Sequence, residues 1–111
     1  MTLVECWNTI GDLGAATRSS DRKRAEVDEL AVALGGDAGR VEVGTCWVIR
    51  DTEANRALLA RYPHIFVSRF PGSSIGWLRV LTMGGPMPSD PALVWCDLAA
   101  QRLFARRPPR P

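Results

Sequence analysis

The run Leu3-Val4-Glu5-Cys6-Trp7 places one carboxylate inside an apolar stretch. A buried, unpaired acid in such a stretch carries a heavy desolvation penalty. Glu5 is therefore expected at an exposed strand edge, paired with an arginine, or on a metal ion. Two further acids, Asp51 and Asp97, follow the apolar runs Cys46–Ile49 and Leu93–Cys96. If these runs are parallel strands, the three acids lie along one sheet edge, where α/β folds place their sites. Two of them have an ordinary local use. Asp51, or its neighbour Thr52, suits a helix N-cap, and Asp97 suits a strand-end turn. Glu5 has no such use.

A second cluster is Arg18, Asp21, Arg22, Lys23 and Arg24. A basic helix face of this kind can contact phosphates. It can equally be a solvated face laced by an i,i+4 pair such as Arg22 with Glu26. His64, the sole histidine, follows Pro63 and reads as a turn residue rather than a base. No serine or cysteine has a histidine and acid at a spacing that marks a nucleophile. The phosphate-binding patterns G-x-x-x-x-G-K and G-x-G-x-x-G do not occur. Phe70-Pro71-Gly72-Ser73-Ser74 sets two hydroxyls at a helix start, which is a weak anion site and more simply a cap.

The elements that must position these groups can be read from periodicity. Short apolar runs at Leu3–Trp7, Cys46–Ile49 (introduced by Val41-Glu42-Val43), Ile65–Val67 and Leu93–Cys96 predict four strands. Their near-continuous apolar character suits strands covered on both faces. Val27, Leu30, Ala31 and Leu34 fall at i, i+3, i+4 and i+7, so a helix is expected from Arg18 to Leu34, ended by Gly35-Gly36. Gly11 and Gly14 weaken its front. A second helix begins at Asp51 or Thr52, carries Ala54, Leu58, Leu59 and Tyr62 inward, and stops at Pro63. A third begins at Ser73 or Ser74, carries Ile75, Leu78, Val80 and Leu81, and closes at Gly84-Gly85-Pro86. Alternating strands and helices predict an α/β fold: a single mixed, mostly parallel sheet of about four strands with helices packed on it. Residues 1–105 form one domain, and residues 106–111 are expected to be a disordered basic Pro/Arg tail.

Composition fits that picture and excludes little. The chain has 111 residues, of which 46% are hydrophobic, enough for one domain with a modest core. A net charge of +2 does not by itself imply nucleic acid. Arginine outnumbers lysine 13 to one, the one being Lys23, as a GC-rich genome would produce. Cys6, Cys46 and Cys96 lie in apolar runs with no C-x-x-C spacing, so buried free thiols in a reducing, cytoplasmic setting are expected. No run approaches the roughly 18 residues of a membrane span, and no secretory signal is expected. The tryptophans Trp7, Trp47, Trp77 and Trp95 are expected in the core.

Taken in order, LVE, the helix containing DRK, RDT-x-x-NR-x-x-L, RFPGSS-x-x-WLR-x-LT and P-x-LVW resemble the C-terminal domain of some actinobacterial helix-turn-helix transcription regulators. That domain is similar to a restriction-endonuclease-like core of the PD-(D/E)xK type. The resemblance covers residues 3 to 105. In such nucleases a β-hairpin supplies an Asp, the next strand carries Glu-x-Lys, and a helix follows. The acids bind Mg²⁺, which activates water, and the lysine helps position it. The resemblance places Glu5 at the glutamate, a candidate catalytic and metal-binding residue. Trp7 stands at the lysine position, so Lys23 in the following helix is the only lysine that could replace it. The Asp-bearing hairpin has no counterpart here, which implies a domain truncated at its N-terminus.

Three functions follow as expectations. The first is a non-catalytic nuclease-like domain of a DNA-associated regulator, with Arg18, Arg22 and Arg24 as candidate nucleic-acid contacts. The second is an active Mg²⁺-dependent endonuclease using Glu5, Lys23 and Asp51 or Asp97, which requires these groups within about 5 Å of one metal position. The third is a small partner-binding α/β protein. A strand at residues 2–7 that lacks one neighbour would leave unpaired main-chain groups, so a homodimer through that strand is expected.

Overall fold

The computed structural model describes residues 1–35 and 41–106. Its elements run β1 (Thr2–Trp7), α1 (Leu13–Gly35), β2 (Gly44–Arg50), α2 (Glu53–Arg61), α3 (Pro63–Arg69), α4 (Ser74–Met83), β3 (Ala92–Cys96) and β4 (Leu103–Ala105). The strands form one sheet in the order β1-β2-β3-β4. The first three are parallel, with Glu5 opposite Trp47 and Trp47 opposite Leu93, and β4 returns antiparallel to β3. The expected α/β class, one mixed and mostly parallel sheet carrying helices, is the class observed.

The near-continuous apolar character of β2 and β3 reflects burial on both faces. Trp47, Ile49, Leu93 and Trp95 point to one side, where Ala16 of α1, Phe66 of α3 and Phe70 at the C-cap of α3 meet them. Cys46, Ala92 and Val94 point to the other, against Trp77 of α4. Gly44 lies where a Cβ would collide with the Met87 and Trp77 side chains, so the chain enters β2 only with glycine there. Trp47, Trp77 and Trp95 are buried as expected. Trp7 is partly buried, its ring 5.0 Å from that of Trp47.

Several expectations about elements need correction. Ile65-Phe66-Val67 is not a strand but the middle of α3. Pro63 stands in the first turn of that helix, where its missing N–H costs nothing. Phe66 and Phe70, four residues apart, then reach the same core, while Ile65 and Val67 stay exposed. The fourth strand is instead β4, joined to β3 by a turn in which Ala100 adopts a φ of 55°. Helix α1 begins at Leu13, well before Arg18, because the Asp12 carboxylate accepts the Ala15 N–H at 3.0 Å. Its buried line is Ala16, Ser20, Ala31 and Gly35, whereas Leu30 and Leu34 are exposed. Small residues let the helix lie close on the sheet, and the larger leucines are turned outward.

The Val41–Val43 lead-in is not strand. In α2 the buried residue is Asn55, and Ala54 is exposed. Ser73 caps α4 through the Gly76 N–H, as expected for that hydroxyl. Of the helix end at Gly35-Gly36, Gly36 lies outside the described residues, as do 107–111 of the expected tail. Arg106, the first residue of that tail, donates its backbone N–H to Ser74 Oγ at 2.7 Å.

Candidate functional site

Glu5 sits mid-way along β1 with its side chain only 4% exposed, facing α1. Two residues three apart on α1, hence on one helix face, meet it. Ser20 Oγ donates to Glu5 Oε1 at 2.7 Å, and Lys23 Nζ lies 3.4 Å from Glu5 Oε2. The Trp47 indole N–H donates to Ser20 Oγ at 3.1 Å, which fixes the hydroxyl toward the carboxylate. The Lys23 ammonium also stands 5.9 Å from the centroid of the Trp7 ring, within cation–π range. Of the three resting places expected for Glu5, ion pairing is the one it takes, but the partner is Lys23 and not the expected arginine.

The other acids stay apart from it. Asp51 and Asp97 follow the C-terminal ends of β2 and β3, where the Asp51 N–H bonds the Cys96 carbonyl. Asp51 is bound by the Arg56 guanidinium through both carboxylate oxygens, and Thr52 rather than Asp51 caps α2. This bonding raises the Arg56 pKa. Asp97 accepts the Gln101 and Arg102 N–H groups at 2.7 and 3.1 Å, the turn role expected of it. Those two backbone donors hold its carboxyl below the ordinary value. Among the described residues no three His, Cys, Asp or Glu side chains stand together in a way that could hold a metal. Mg²⁺ wants near-octahedral oxygen ligands. Glu5 offers one carboxylate, already shared between a hydroxyl and an ammonium. The residues present therefore do not fit Mg²⁺ at Glu5.

The arginine cluster divides. Arg24 is held inward, donating to Thr45 Oγ1 at 2.7 Å and to the Val43 carbonyl at 3.1 Å, with Asp28 at 3.0 Å. Arg18 and Arg22 are exposed on α1. The i,i+4 ion pair on this helix is Arg24–Asp28 and not Arg22–Glu26. Asp21 forms a two-point pair with Arg69 of α3, and the Arg69 hydrogen bond lowers the Asp21 pKa. His64 lies within the first turn of α3.

The sequence alone does not announce three organising residues. Ser20 and Trp47 complete the Glu5 cluster, and the i,i+3 spacing of Ser20 and Lys23 was the available signal. Asn55, 1% exposed, takes the Ile10 N–H on its Oδ1 and donates from Nδ2 to the Asn8 and Arg50 carbonyls. It stitches the segment after β1 to the end of β2, and no local pattern announces it. The expectation of buried thiols holds for Cys46 but not for Cys6, which is exposed on the edge strand.

β1 is that edge. The Gly44 N–H donates to the Met1 carbonyl. In a parallel ladder the bonds then recur at every second residue, through Leu3, Glu5 and Trp7. The main-chain groups of Thr2, Val4 and Cys6 therefore point outward, and no described strand lies beyond them. No helix is long and apolar enough to cross a membrane among the described residues. No family model matches the chain, and neither a curated protein nor a solved structure matches it.

Proposed function

We propose that the chain is a non-catalytic, nuclease-like α/β domain of a cytoplasmic, DNA-associated regulator, which works as an assembly module through its β1 edge. The observation that carries the reading is the closed Glu5–Ser20–Lys23–Trp47 cluster. In the resemblance to restriction-endonuclease-like cores, Glu5 stands where a metal-binding glutamate would be, on a strand followed by a helix. Here its carboxylate is neutralised by Lys23, and the described acids Asp51 and Asp97 are bound elsewhere. An acid so arranged stabilises the contact between α1 and the sheet and activates nothing. The outward N–H and C=O groups of Thr2, Val4 and Cys6 favour pairing with a second copy, antiparallel about a two-fold axis at Val4. Arg18 and Arg22 supply an exposed positive face for weak, salt-dependent phosphate contact.

The test has two arms. A plasmid-cleavage assay with Mg²⁺ or Mn²⁺ should give no product for the protein or for Glu5→Ala. Cleavage that Glu5→Ala abolishes would make the chain an active nuclease and refute the reading. Light scattering at high concentration should detect a dimer that Val4→Pro converts to monomer. Proline at that position removes an outward donor and no bond of the β1–β2 ladder. A monomer at every concentration would remove the edge-pairing role.

A further inference from the structure

At the edge of the sheet opposite Glu5's strand, a groove of about 540 Å³ opens between the α2–α3 elbow and the β3–β4 hairpin. That volume is in the range of small-molecule sites. Its walls are largely apolar, with Phe66, Val67, Trp95 and Phe104 among them, and its charged lining groups are the guanidiniums of Arg56 and Arg106. Among the described residues, no carboxylate lines it.

The two arginines differ. Arg56 is engaged by Asp51, outside the groove, and its guanidinium lies 5.0 Å from the centroid of the Trp95 ring. It forms a fixed, largely neutralised rim. Arg106 is partly buried, and its ordinary pKa is lowered by desolvation alone, with no acid among the causes. No ion pair to it occurs among the described residues. Arginine stays protonated in such surroundings, so the groove holds a partly desolvated positive charge beside aromatic walls. A bound anion would offset the cost of that charge, and a planar guanidinium matches a carboxylate through two parallel hydrogen bonds.

We propose that this groove binds a small aromatic carboxylate, its ring against Phe66 and Phe104 and its carboxylate on Arg106. The site is independent of the Glu5 cluster and of the β1 edge. It gives the domain a place for a low-molecular-weight ligand whether or not it associates with DNA.

The test uses the whole chain and the probe indole-3-acetate, with indole-3-acetamide as its neutral counterpart, followed by amide chemical shifts in two-dimensional NMR. Saturable shifts are expected at residues 66–67 and 104–106. The acetamide should bind about tenfold more weakly, the loss expected when one charge-assisted pair is removed. Arg106→Gln should weaken the acetate by a similar factor and leave the acetamide unchanged. Val67→Trp, at a position 44% exposed and so tolerant of a larger side chain, should block both by filling the groove. The proposal fails if no saturable shift occurs up to millimolar probe, if the two probes bind alike, or if both variants bind as the parent does. Equal binding of inorganic phosphate would also overturn it, since that would mark a bare anion site without a use for the aromatic wall.

Discussion

Lys23 Nζ stands 3.4 Å from Glu5 Oε2, although the two residues lie 18 apart in the chain, one on a helix and one on an edge strand. Their exposures are unequal: the glutamate side chain is 4% accessible and the lysine 49%. The pair is therefore a buried anion served by a cation that reaches in from solvent along its aliphatic stem. Coulombic attraction is moderated at the open side. The hydroxyl of Ser20 does the rest, anchored in turn by Trp47. Such a chain of donors satisfies the acid without another carboxylate or a metal.

From this follows an ordered set of stabilities. Glu5→Ala leaves Ser20 and Lys23 without their acceptor and opens a space under α1. It should cost about 3 kcal/mol in denaturant unfolding. Glu5→Gln keeps the volume and an acceptor for Ser20, and should cost about 1 kcal/mol. Lys23→Met retains the stem over Trp7 and should lie between the two. If Glu5→Ala were neutral, the cluster would have no structural role and the acid would be free for another one.

Asn55 makes a sharper case, because it is a neutral group whose two donors and carbonyl oxygen are all engaged internally. Asn55→Ala breaks three hydrogen bonds and strands the Ile10 N–H together with the Asn8 and Arg50 carbonyls. A loss of about 3 kcal/mol is expected. Asn55→Asp should be nearly as damaging, because a carboxylate has no donors for the two carbonyls. Thermal unfolding of both variants beside Thr52→Ala, which removes only a cap worth about 1 kcal/mol, would test that ranking.

How far the sequence foretold this can be read from the same residues. The central strands β2 and β3 were legible because they are apolar throughout, and only burial on both faces explains that pattern. Glu5 and Lys23 were both singled out, but their meeting was not, since it depends on how α1 lies across β1. The α1 face differs from its apolar period at Leu30 and Leu34, which are exposed. Periodicity marks a stripe of apolar residues, but the sheet chose the small ones that allow close approach. Ile65–Val67 looked like a strand because β-branched residues flank Phe66. Its helical state is set by Pro63 at the first turn and by the Phe66–Phe70 spacing, a tertiary demand. β4 has three residues and no glycine or asparagine in its turn, so nothing local marked it.

The cysteines offer a chemical readout of the sheet. All three lie on one side of it: Cys6 exposed at the edge, Cys96 intermediate, and Cys46 beneath Trp77. Burial pushes the Cys46 thiol up to about 12. A thiol-specific reagent at mildly alkaline pH should therefore label Cys6 first, Cys96 more slowly, and Cys46 only on unfolding. The sign of the linkage also follows. The unfolded thiol ionises near its ordinary value of 9.0 while the folded one keeps its proton. Stability should be insensitive to this group below that pH and should fall as pH rises above it. In Cys46→Ala that part of the alkaline decline should disappear, at the expense of some packing.

The two neighbouring tryptophans Trp7 and Trp47, their rings tilted by 45°, separate packing from hydrogen bonding. Trp47 is fully buried and its N–H is used by Ser20, whereas the buried Trp7 N–H has no partner. An unsatisfied buried donor costs about 1–3 kcal/mol. Replacing Trp7 with Phe removes that penalty while losing part of a partly buried ring, so Trp7→Phe should change stability by no more than about 1 kcal/mol. Trp47→Phe removes a satisfied donor, leaves a void in the core, and loosens the hydroxyl that holds Glu5. It should cost about 3 kcal/mol. Equal losses in the two variants would mean that ring volume alone governs this corner, and that the Trp47–Ser20–Glu5 chain contributes nothing of its own.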